Sequence, residues 1–390
     1  IEQPSWTVAN NEKQISDFIK KVGFPVVIRP SYVLSGAAMR IIYDKDSLNK
    51  CLKDAQNISP AHPVVITQFI EDALEVDVDT VFNESYMVDV AISEHLENAG
   101  VHSGDATLIM PPQRLSASIQ NRMIGIANLI GSQLKVKGLF NTQFLVKGEW
   151  IGVIETNLRS SRSIPFVSKS LNTDFIKYAT DIIMDKVDKL PRMRQINYDS
   201  ISSTQLDNVC VKSPQFSFRR IPQSDPKLGI EMASAGEVAC FGHTLEEAYI
   251  KSVISSRCNI PISIDLDENI KINTKSGVLN ILVINTQNIK SCCVENQNIL
   301  TELGHNIECI NLDKSYINLD TMSKKDIIVD CTNSESSYKI RRNAVDFCKY
   351  LITNKAHINL LCNCLFKQHK IKCLPFTFYQ RRITTHTNTK

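Results

Sequence analysis

The feature that most constrains the fold is residues 140–157, FNTQFLVKGEWIGVIETN, whose pattern predicts a β-hairpin. On the first strand apolar and polar residues alternate, which sets Gln143 on the polar face. On the second strand the alternation places Glu155 and Asn157 on a common face. If the turn centres near residues 148–149, Gln143 faces Glu155 across the ladder, with Cβ atoms about 5 Å apart.

Gln143, Glu155 and Asn157 carry oxygen atoms of the kind that a hard cation binds. Mg²⁺, or Mn²⁺ in its place, takes carboxylate and amide oxygens and completes its shell with water and substrate phosphates. Arg159 and Arg162 follow three residues apart, so a loop or first helical turn aims both guanidinium groups at the anions that the metal holds. The pattern indicates a polyphosphate site, although spacing alone leaves open an exposed hairpin with a polar outer face.

A second candidate site lies near the start of the sequence, where a strand is followed by a turn of small residues. We expect the sequence to open without a strand, on a helix that is capped by Asn10 or Asn11. Residues 24–28 then form a buried strand that ends at Arg29. The turn at residues 35–38, SGAA, would let backbone N–H groups approach a phosphate, and a plain turn is the alternative.

The segment between these two sites is acidic and then polar. Glu75, Asp77 and Asp79 alternate with apolar residues and threonine, which predicts one acidic edge, and solvated carboxylates are the simplest interpretation of it. After a strand near residues 88–92, residues 93–112 are predicted to form a polar loop.

These motifs resemble the carboxy-terminal ATP-grasp half of the carbamoyl phosphate synthetase large chain. That family reads FNxQ and then IExNxRxSRSxPFVSK, which match residues 140–143 and 154–169. It also shares PVVIRPSYVLSGAAM at residues 25–39 and GVHSGD at residues 100–105. The similarity runs from Gln3 to about Pro261.

The resemblance implies a role for each matching residue. It assigns the metal to Gln143, Glu155 and Asn157, and charge compensation during catalysis to Arg159 and Arg162. The residues that match its nucleotide-binding positions are Arg29, Gln68, Ile70, Glu75, Gly100, Val101, His102, Ser103, Gln143 and Glu155. His95 and Glu97 match a potassium site of some members.

The implied activity is the ATP-dependent phosphorylation of carbamate in carbamoyl phosphate synthesis. We expect the chain to be a fragment of a larger synthetase, inactive by itself, whose partners are the remaining synthetase and glutaminase domains, and we expect the full-length protein to be oligomeric. A non-catalytic regulatory or scaffold fragment with the same fold is an alternative. A biotin-dependent carboxylase would share the metal residues but lack GVHSGD, so that motif argues against it.

The predicted fold class is α/β, with an ATP-grasp (α+β) domain followed by a small parallel-sheet domain. Residues 1–262 are assigned to the ATP-grasp domain, its amino-terminal part missing, with a carboxy-terminal extension. Residues 270–375 resemble the methylglyoxal-synthase-like regulatory domain, in which strands alternate with helices, the last helix at residues 338–351. A threonine pair that often holds an effector phosphate is absent after Ile310, so we expect weak effector binding.

Composition excludes several classes of protein. The net charge of the 390 residues is +3, with no basic block that would favour nucleic acid. The 12 cysteines are scattered without CxxC spacing, which indicates reduced thiols. No run approaches the about 20 apolar residues that a membrane span needs. Residues 211–220 and 228–242 look closer to the multifunctional pyrimidine-pathway proteins of animals than to the mitochondrial urea-cycle type, so a cytoplasmic location is predicted, with the mitochondrion as the alternative.

Overall fold

The structure is a computed structural model, and the chain divides into two compact units. The first unit comprises residues 1–104, 110–206 and 229–232, and the second comprises residues 105–109, 207–228 and 233–390. The residues described are 1–30, 39–49, 51, 64–186, 206–287, 289–314, 317–367 and 371–381. The predicted turn at residues 35–38 lies outside them.

The first unit begins with a four-stranded antiparallel sheet of order β1-β4-β2-β3. Its strands are β1 (Trp6–Ala9), β2 (Val26–Pro30), β3 (Arg40–Ile42) and β4 (Val64–Gln68). Helix α1 (Glu12–Val22) begins at Asn11, whose side chain accepts from the backbone N–H of Gln14 at 3.0 Å, so the predicted cap is confirmed. The expectation of no strand before this helix is wrong. Strand β1 lies at the sheet edge with Trp6 56% exposed, and four residues are too few to show a period in sequence.

A second set of antiparallel strands in this unit carries the hairpin. Strands β5 (Leu74–Asn83), β6 (Tyr86–Asn98), β8 (Lys137–Lys147) and β9 (Trp150–Asn157) pair in the order β6-β5-β8-β9. Helix α2 (Ala117–Leu134) packs its buried residues, Met123 and Ala127 among them, against β5 and β6 in one apolar core. Two short helices follow the hairpin, α3 (Ile164–Ser170) and α4 (Phe175–Ile183).

The predicted polar loop at residues 93–112 is partly wrong, because residues 93–98 and 108–110 are strand and only residues 99–107 and 111–112 are irregular. Strand β6 continues to Asn98, and the acidic residues of β5 are buried, with Glu75, Asp77 and Asp79 only 7%, 3% and 0% exposed. The interpretation as solvated carboxylates is therefore wrong. Both faces of these central strands are covered, and the polar side chains bond to one another, as where His95 Nε2 lies 3.0 Å from an Asp77 carboxylate oxygen.

The second unit contains an antiparallel pair of strands, with a third strand beside them, and a separate parallel sheet. Strands β7 (Leu108–Met110), β10 (Val209–Phe216) and β11 (Ser234–Gly242) lie in the order β11-β10-β7, and helix α5 (Leu245–Ser255) packs on β10 and β11. A short hairpin of β12 (Ile262–Ile264) and β13 (Ile270–Ile272) follows.

Strands β14 (Asn280–Asn285), β15 (Asn306–Asn311), β16 (Ile327–Val329) and β17 (Tyr350–Ile352) then form a sheet of order β15-β14-β16-β17. All its pairs are parallel, which confirms the predicted parallel sheet. Its helices are α6 (Val294–Glu302), α7 (Leu319–Ser323), α8 (Tyr338–Asp346), α9 (Lys355–Lys367) and α10 (Phe376–Arg381). The helix predicted to reach residue 351 ends at Asp346, because the residues from Tyr350 pair with β16 as a strand.

Candidate active site

Across the hairpin, the site residues form a row. Gln143 on β8 pairs with Glu155 on β9, and Asn141 pairs with Asn157. The register shifts by one residue between Gln143 and Phe144, where Ile154 is the extra residue on β9. The predicted pairing of Gln143 with Glu155 is therefore present, and it depends on this bulge.

The hydrogen bonds of Gln143 and Asn157 show which atom of each side-chain amide is still available. The Gln143 side-chain nitrogen donates to the Ser103 hydroxyl at 3.0 Å, and the Asn157 nitrogen donates to a Glu155 carboxylate oxygen at 2.8 Å. Since each nitrogen is used as a donor, each amide oxygen is the atom that remains to ligate a cation. One exposed carboxylate and two amide oxygens suit Mg²⁺ or Mn²⁺, which take the rest of their shell from water and phosphate.

Within the described ranges, no three or more His, Cys, Asp or Glu side chains are grouped so as to hold a metal ion.

The segment after β9 carries the two arginines at the surface. Arg159 and Arg162 are both exposed. Arg159 donates to the neighbouring Ser160 carbonyl at 3.1 Å, and Arg162 contacts the Met232 sulfur at 3.0 Å. These weak contacts leave both guanidinium groups able to turn toward an anion.

The start of β5 contacts the GVHSGD segment. The Gly100 backbone N–H bonds to the Glu75 carboxylate, and Gly100 packs so tightly that an added Cβ would lie 3.2 Å from the ring of Phe69. Its φ of +108° is a second reason for glycine at this position. Three residues further along this segment, the Ser103 hydroxyl accepts a hydrogen bond from the Gln143 side chain. Residues that were predicted to bind the nucleotide therefore adjoin the row of Gln143, Glu155 and Asn157.

Burial dominates the electrostatics of this region. It raises the pKa of Glu75 to about 7, with His95 opposing the rise and Asp77 and Glu155 adding to it. For His95, burial lowers the pKa, but the hydrogen bond to Asp77 and the nearby carboxylates outweigh it, and the pKa is raised. Negative charge is concentrated beside the row, which favours a cation there.

Arg29 and Gln68 lie on the other sheet of this unit. In the β2–β4 ladder Gln68 pairs with Val26, and Arg29 pairs with Val65, so the two functional side chains stand three residues apart along the strands. That separation is about 10 Å. Because this offset is odd, the side chains of Gln68 and Arg29 project from opposite faces of the sheet, so the ladder does not by itself bring these two predicted nucleotide-binding residues together.

Two groups of contacting residues were not predicted. Ser161 and Ser163 bond to the buried Asp79 beneath the arginine segment, and Met232 contacts Arg162 from a distant part of the sequence. The serines were visible within the family motif. Nothing in the local pattern around residue 232 indicates its position.

The fold is similar to that of a solved nucleotide-binding domain. The structure superposes on the biotin carboxylase domain of 2-oxoglutarate carboxylase from Hydrogenobacter thermophilus, determined with MgADP, ADP and bicarbonate. The TM-score is 0.51 at 12% identity, covering 66% of this chain and 62% of that one. The fold is thus that of an ATP-grasp domain, accompanied by the parallel-sheet α/β domain.

The family follows from the sequence. Residues 2–187 match the model described as carbamoyl-phosphate synthase L chain, ATP binding domain, and over these residues the chain belongs to that family. It is 41% identical over 372 residues, 91% of its length, to multifunctional protein pyr1-3 of Dictyostelium discoideum. It is 47% identical over 262 residues to multifunctional protein ura1 of Schizosaccharomyces pombe, and 44% identical over 264 residues to the mitochondrial carbamoyl-phosphate synthase (ammonia) of Rattus norvegicus, in each case 67% of this chain.

The chain spans only 16%, 11% and 17% of the lengths of these three relatives. Among the helices that the structure describes, none is both long enough and apolar enough to cross a membrane.

Proposed function

We propose that this chain binds MgATP and phosphorylates carbamate within a larger carbamoyl phosphate synthetase of the pyrimidine pathway. The observation that carries the proposal is the row of Gln143, Glu155 and Asn157 beside two exposed arginines, on an ATP-grasp fold. The similarity to multifunctional proteins supports a cytoplasmic location, and the mitochondrial relative keeps the urea-cycle type as the alternative.

In this proposal the chain orients the two substrates. Glu75 and Gly100 hold the ribose end, and Arg29 contacts the phosphates. A bound Mg²⁺ would neutralise phosphate charge, and Gln143, Glu155 and Asn157 would hold it. Val101, His102 and Ser103 line the nucleotide beside Gly100. Gln68 and Ile70 border the base.

The chemical step needs no side-chain nucleophile. A carbamate oxygen attacks the γ-phosphorus of ATP, a new O–P bond forms, and the bond to the β,γ-bridging oxygen breaks to release ADP. The carbamate is already an anion, so no proton has to be removed from it. Arg159 and Arg162 offset the charge on the phosphoryl group as it moves.

The proposal extends to three features of the larger protein. Residues 1–262 form the ATP-grasp domain with its extension, and residues 270–375 form the methylglyoxal-synthase-like domain, which the parallel sheet supports. His95 and Glu97, both buried on β6, form a potassium site. The glutaminase and the remaining synthetase domains are the partners, in an oligomeric assembly.

Glu155→Ala tests the metal site, because Glu155 is the one charged ligand. We expect carbamate-dependent ATP turnover by the intact protein to fall by orders of magnitude with an unchanged melting temperature. The matched control is Glu149→Ala in the turn of the same hairpin, whose side chain is 85% exposed. Turnover of Glu155→Ala at the wild-type rate in saturating Mg²⁺ would refute the assignment.

A further inference from the structure

The segment that presents Arg159 and Arg162 is held by a single buried carboxylate. Asp79 lies on the central strand β5 and is 0% exposed. One of its oxygens accepts from the Ser161 hydroxyl at 2.6 Å, and the other accepts from the Ser163 hydroxyl at 2.5 Å. The two serine oxygens are themselves 2.7 Å apart.

The carboxylate is fixed from its other side as well. Asn141 on β8 donates to Asp79 at 3.0 Å and reaches Asp77 at 3.3 Å, so the acceptor cannot turn away from the serines. Asn141 also pairs with the metal-row residue Asn157. The arginine segment is thereby attached to the same strands that carry the row.

The serines that bond to Asp79 lie close to the two arginines in the sequence. Ser161 and Ser163 flank Arg162 directly, and Arg159 lies two residues before Ser161. Fixing both serines therefore fixes the backbone from which both arginines extend. The arginine side chains themselves make only weak contacts.

The stability of the fold does not account for this carboxylate. Among the hydrogen bonds of the described residues, Asp79 has no cationic partner, and the charge of Asp77 acts on it as a second negative group. A buried charge without a counter-ion is unfavourable, and burial with Asp77 raises the pKa of Asp79 to about 6. A costly group of this kind indicates a functional role.

We propose that Asp79 is a positioning residue, which orders the segment from Leu158 to Ser163 through Ser161 and Ser163 so that both arginines face the transferred phosphoryl group. This inference rests on the proposed function. It adds to that function a group that touches neither substrate nor metal.

The kinetic test uses Asp79→Ala, which removes both acceptor oxygens. We expect kcat for carbamate-dependent ATP turnover to fall about ten- to a hundredfold, because small displacements of a catalytic group have effects of that size. KM for ATP should change less than about twofold, since Glu75 and Gly100 are untouched. Asp79→Asn, which keeps one acceptor, should lie between. An unchanged kcat, or a loss confined to KM, would overturn the proposal.

The path through the serines has its own test. Ser161→Ala with Ser163→Ala should reproduce the kcat loss, and adding Asp79→Ala should lower kcat little further, because all three groups act as one unit. Fully additive losses would overturn the proposal. Should Asp79→Ala fail to fold, the paired serine variant alone decides, and wild-type kcat in it counts against the proposal.

Limited trypsin digestion separates this inference from the proposed function. Cleavage after Arg159 and Arg162 reports order in the segment without any turnover. Asp79→Ala should speed those two cleavages about tenfold relative to cleavage after Lys147, whereas Asp89→Ala, the same substitution at another buried carboxyl with a raised pKa, should not. Equal rates would overturn the positioning role. A wild-type protein without carbamate-dependent turnover would refute the proposed function and leave this digestion result interpretable.

Discussion

Among the described residues of the first unit, three carboxyl groups are destabilised in their charged form. Burial raises the pKa of Glu75 to about 7, and of Asp79 and Asp89 to about 6. Glu75 and Asp79 lie at the candidate site. The charge of Glu75 lies beside the proposed cation, and the charge of Asp79 holds the segment that contains Ser161 and Ser163. Asp89 accepts one hydrogen bond, from the Val90 N–H at 2.8 Å, and contacts no candidate site residue in the described contacts. Asp89 therefore shows what burial of a carboxylate costs the fold when the group has no role at the candidate site.

Asp89→Asn should raise the melting temperature at pH 7. The folded pKa of about 6 exceeds the ordinary value of 3.8, so the folded state binds the extra proton and is favoured below pH 4, and this contribution is lost as pH rises through 6. The amide keeps the acceptor for Val90 without the charge. Thermal unfolding at pH 7 and at pH 4 measures the effect, and a gain of equal size at both pH values would contradict it.

At the scale of elements, the contact between helix α2 and strand β5 requires a small residue. A Cβ on Gly131 would lie 2.7 Å from the ring of Phe82, which is fully buried. Gly125 lies in the same helix, and a Cβ there would meet nothing within 4 Å. The two glycines therefore have opposite consequences for the stability of one element.

Gly131→Ala should destabilise the protein by about 1–3 kcal/mol, because the methyl group forces the helix away from Phe82. Gly125→Ala should stabilise it by about 0.5–1 kcal/mol, because alanine loses less backbone entropy in a helix. Urea unfolding of the two variants measures both. A stabilising Gly131→Ala would show that the helix can shift without loss of packing.

The sequence predicts well those elements whose apolar and polar residues repeat regularly. The hairpin around residues 148–149 is visible as two-residue alternation, and the parallel sheet is visible as strands that alternate with helices. Strand β6 was cut short because its buried polar residues, such as Glu94 and His95, resemble a loop in sequence. Their burial depends on partners from other strands, and no local pattern shows it.

At the scale of the whole molecule, the second unit is joined around one buried arginine. Arg341 on α8 is 0% exposed and bonds to Asp330 after β16 at 2.9 Å and to Asp225 at 2.6 Å. It also donates to Ser337 at 2.5 Å. Residue 225 precedes the parallel sheet in sequence by more than fifty positions, so this guanidinium ties together segments that sequence alone could not place side by side.

Arg341→Met should destabilise the second unit by about 3–5 kcal/mol, because it leaves Asp330 buried without its counter-ion. Lys324→Met is the control, since Lys324 and Asp320 form an exposed pair and its loss should cost less than about 0.5 kcal/mol. Chemical denaturation followed by far-UV circular dichroism distinguishes them. Similar small losses in both variants would mean that solvent reaches Asp330.

The extra residue Ile154 determines which face of β9 carries Glu155 and Asn157, the proposed metal ligands. Below it the strands pair in the register that a two-residue turn dictates, Phe144 with Val153, and above it every partner is offset by one. If Ile154 paired with Gln143 and no bulge formed, Glu155 would oppose Thr142 and share the covered face with Phe144. The residues of β9 that face Gln143 and Asn141 therefore depend on the one extra residue in the bulge. Substitutions at Ile154, which is 40% exposed, leave the residue count unchanged, and deleting Ile154 would remove the bulge while keeping Glu155 opposite Gln143.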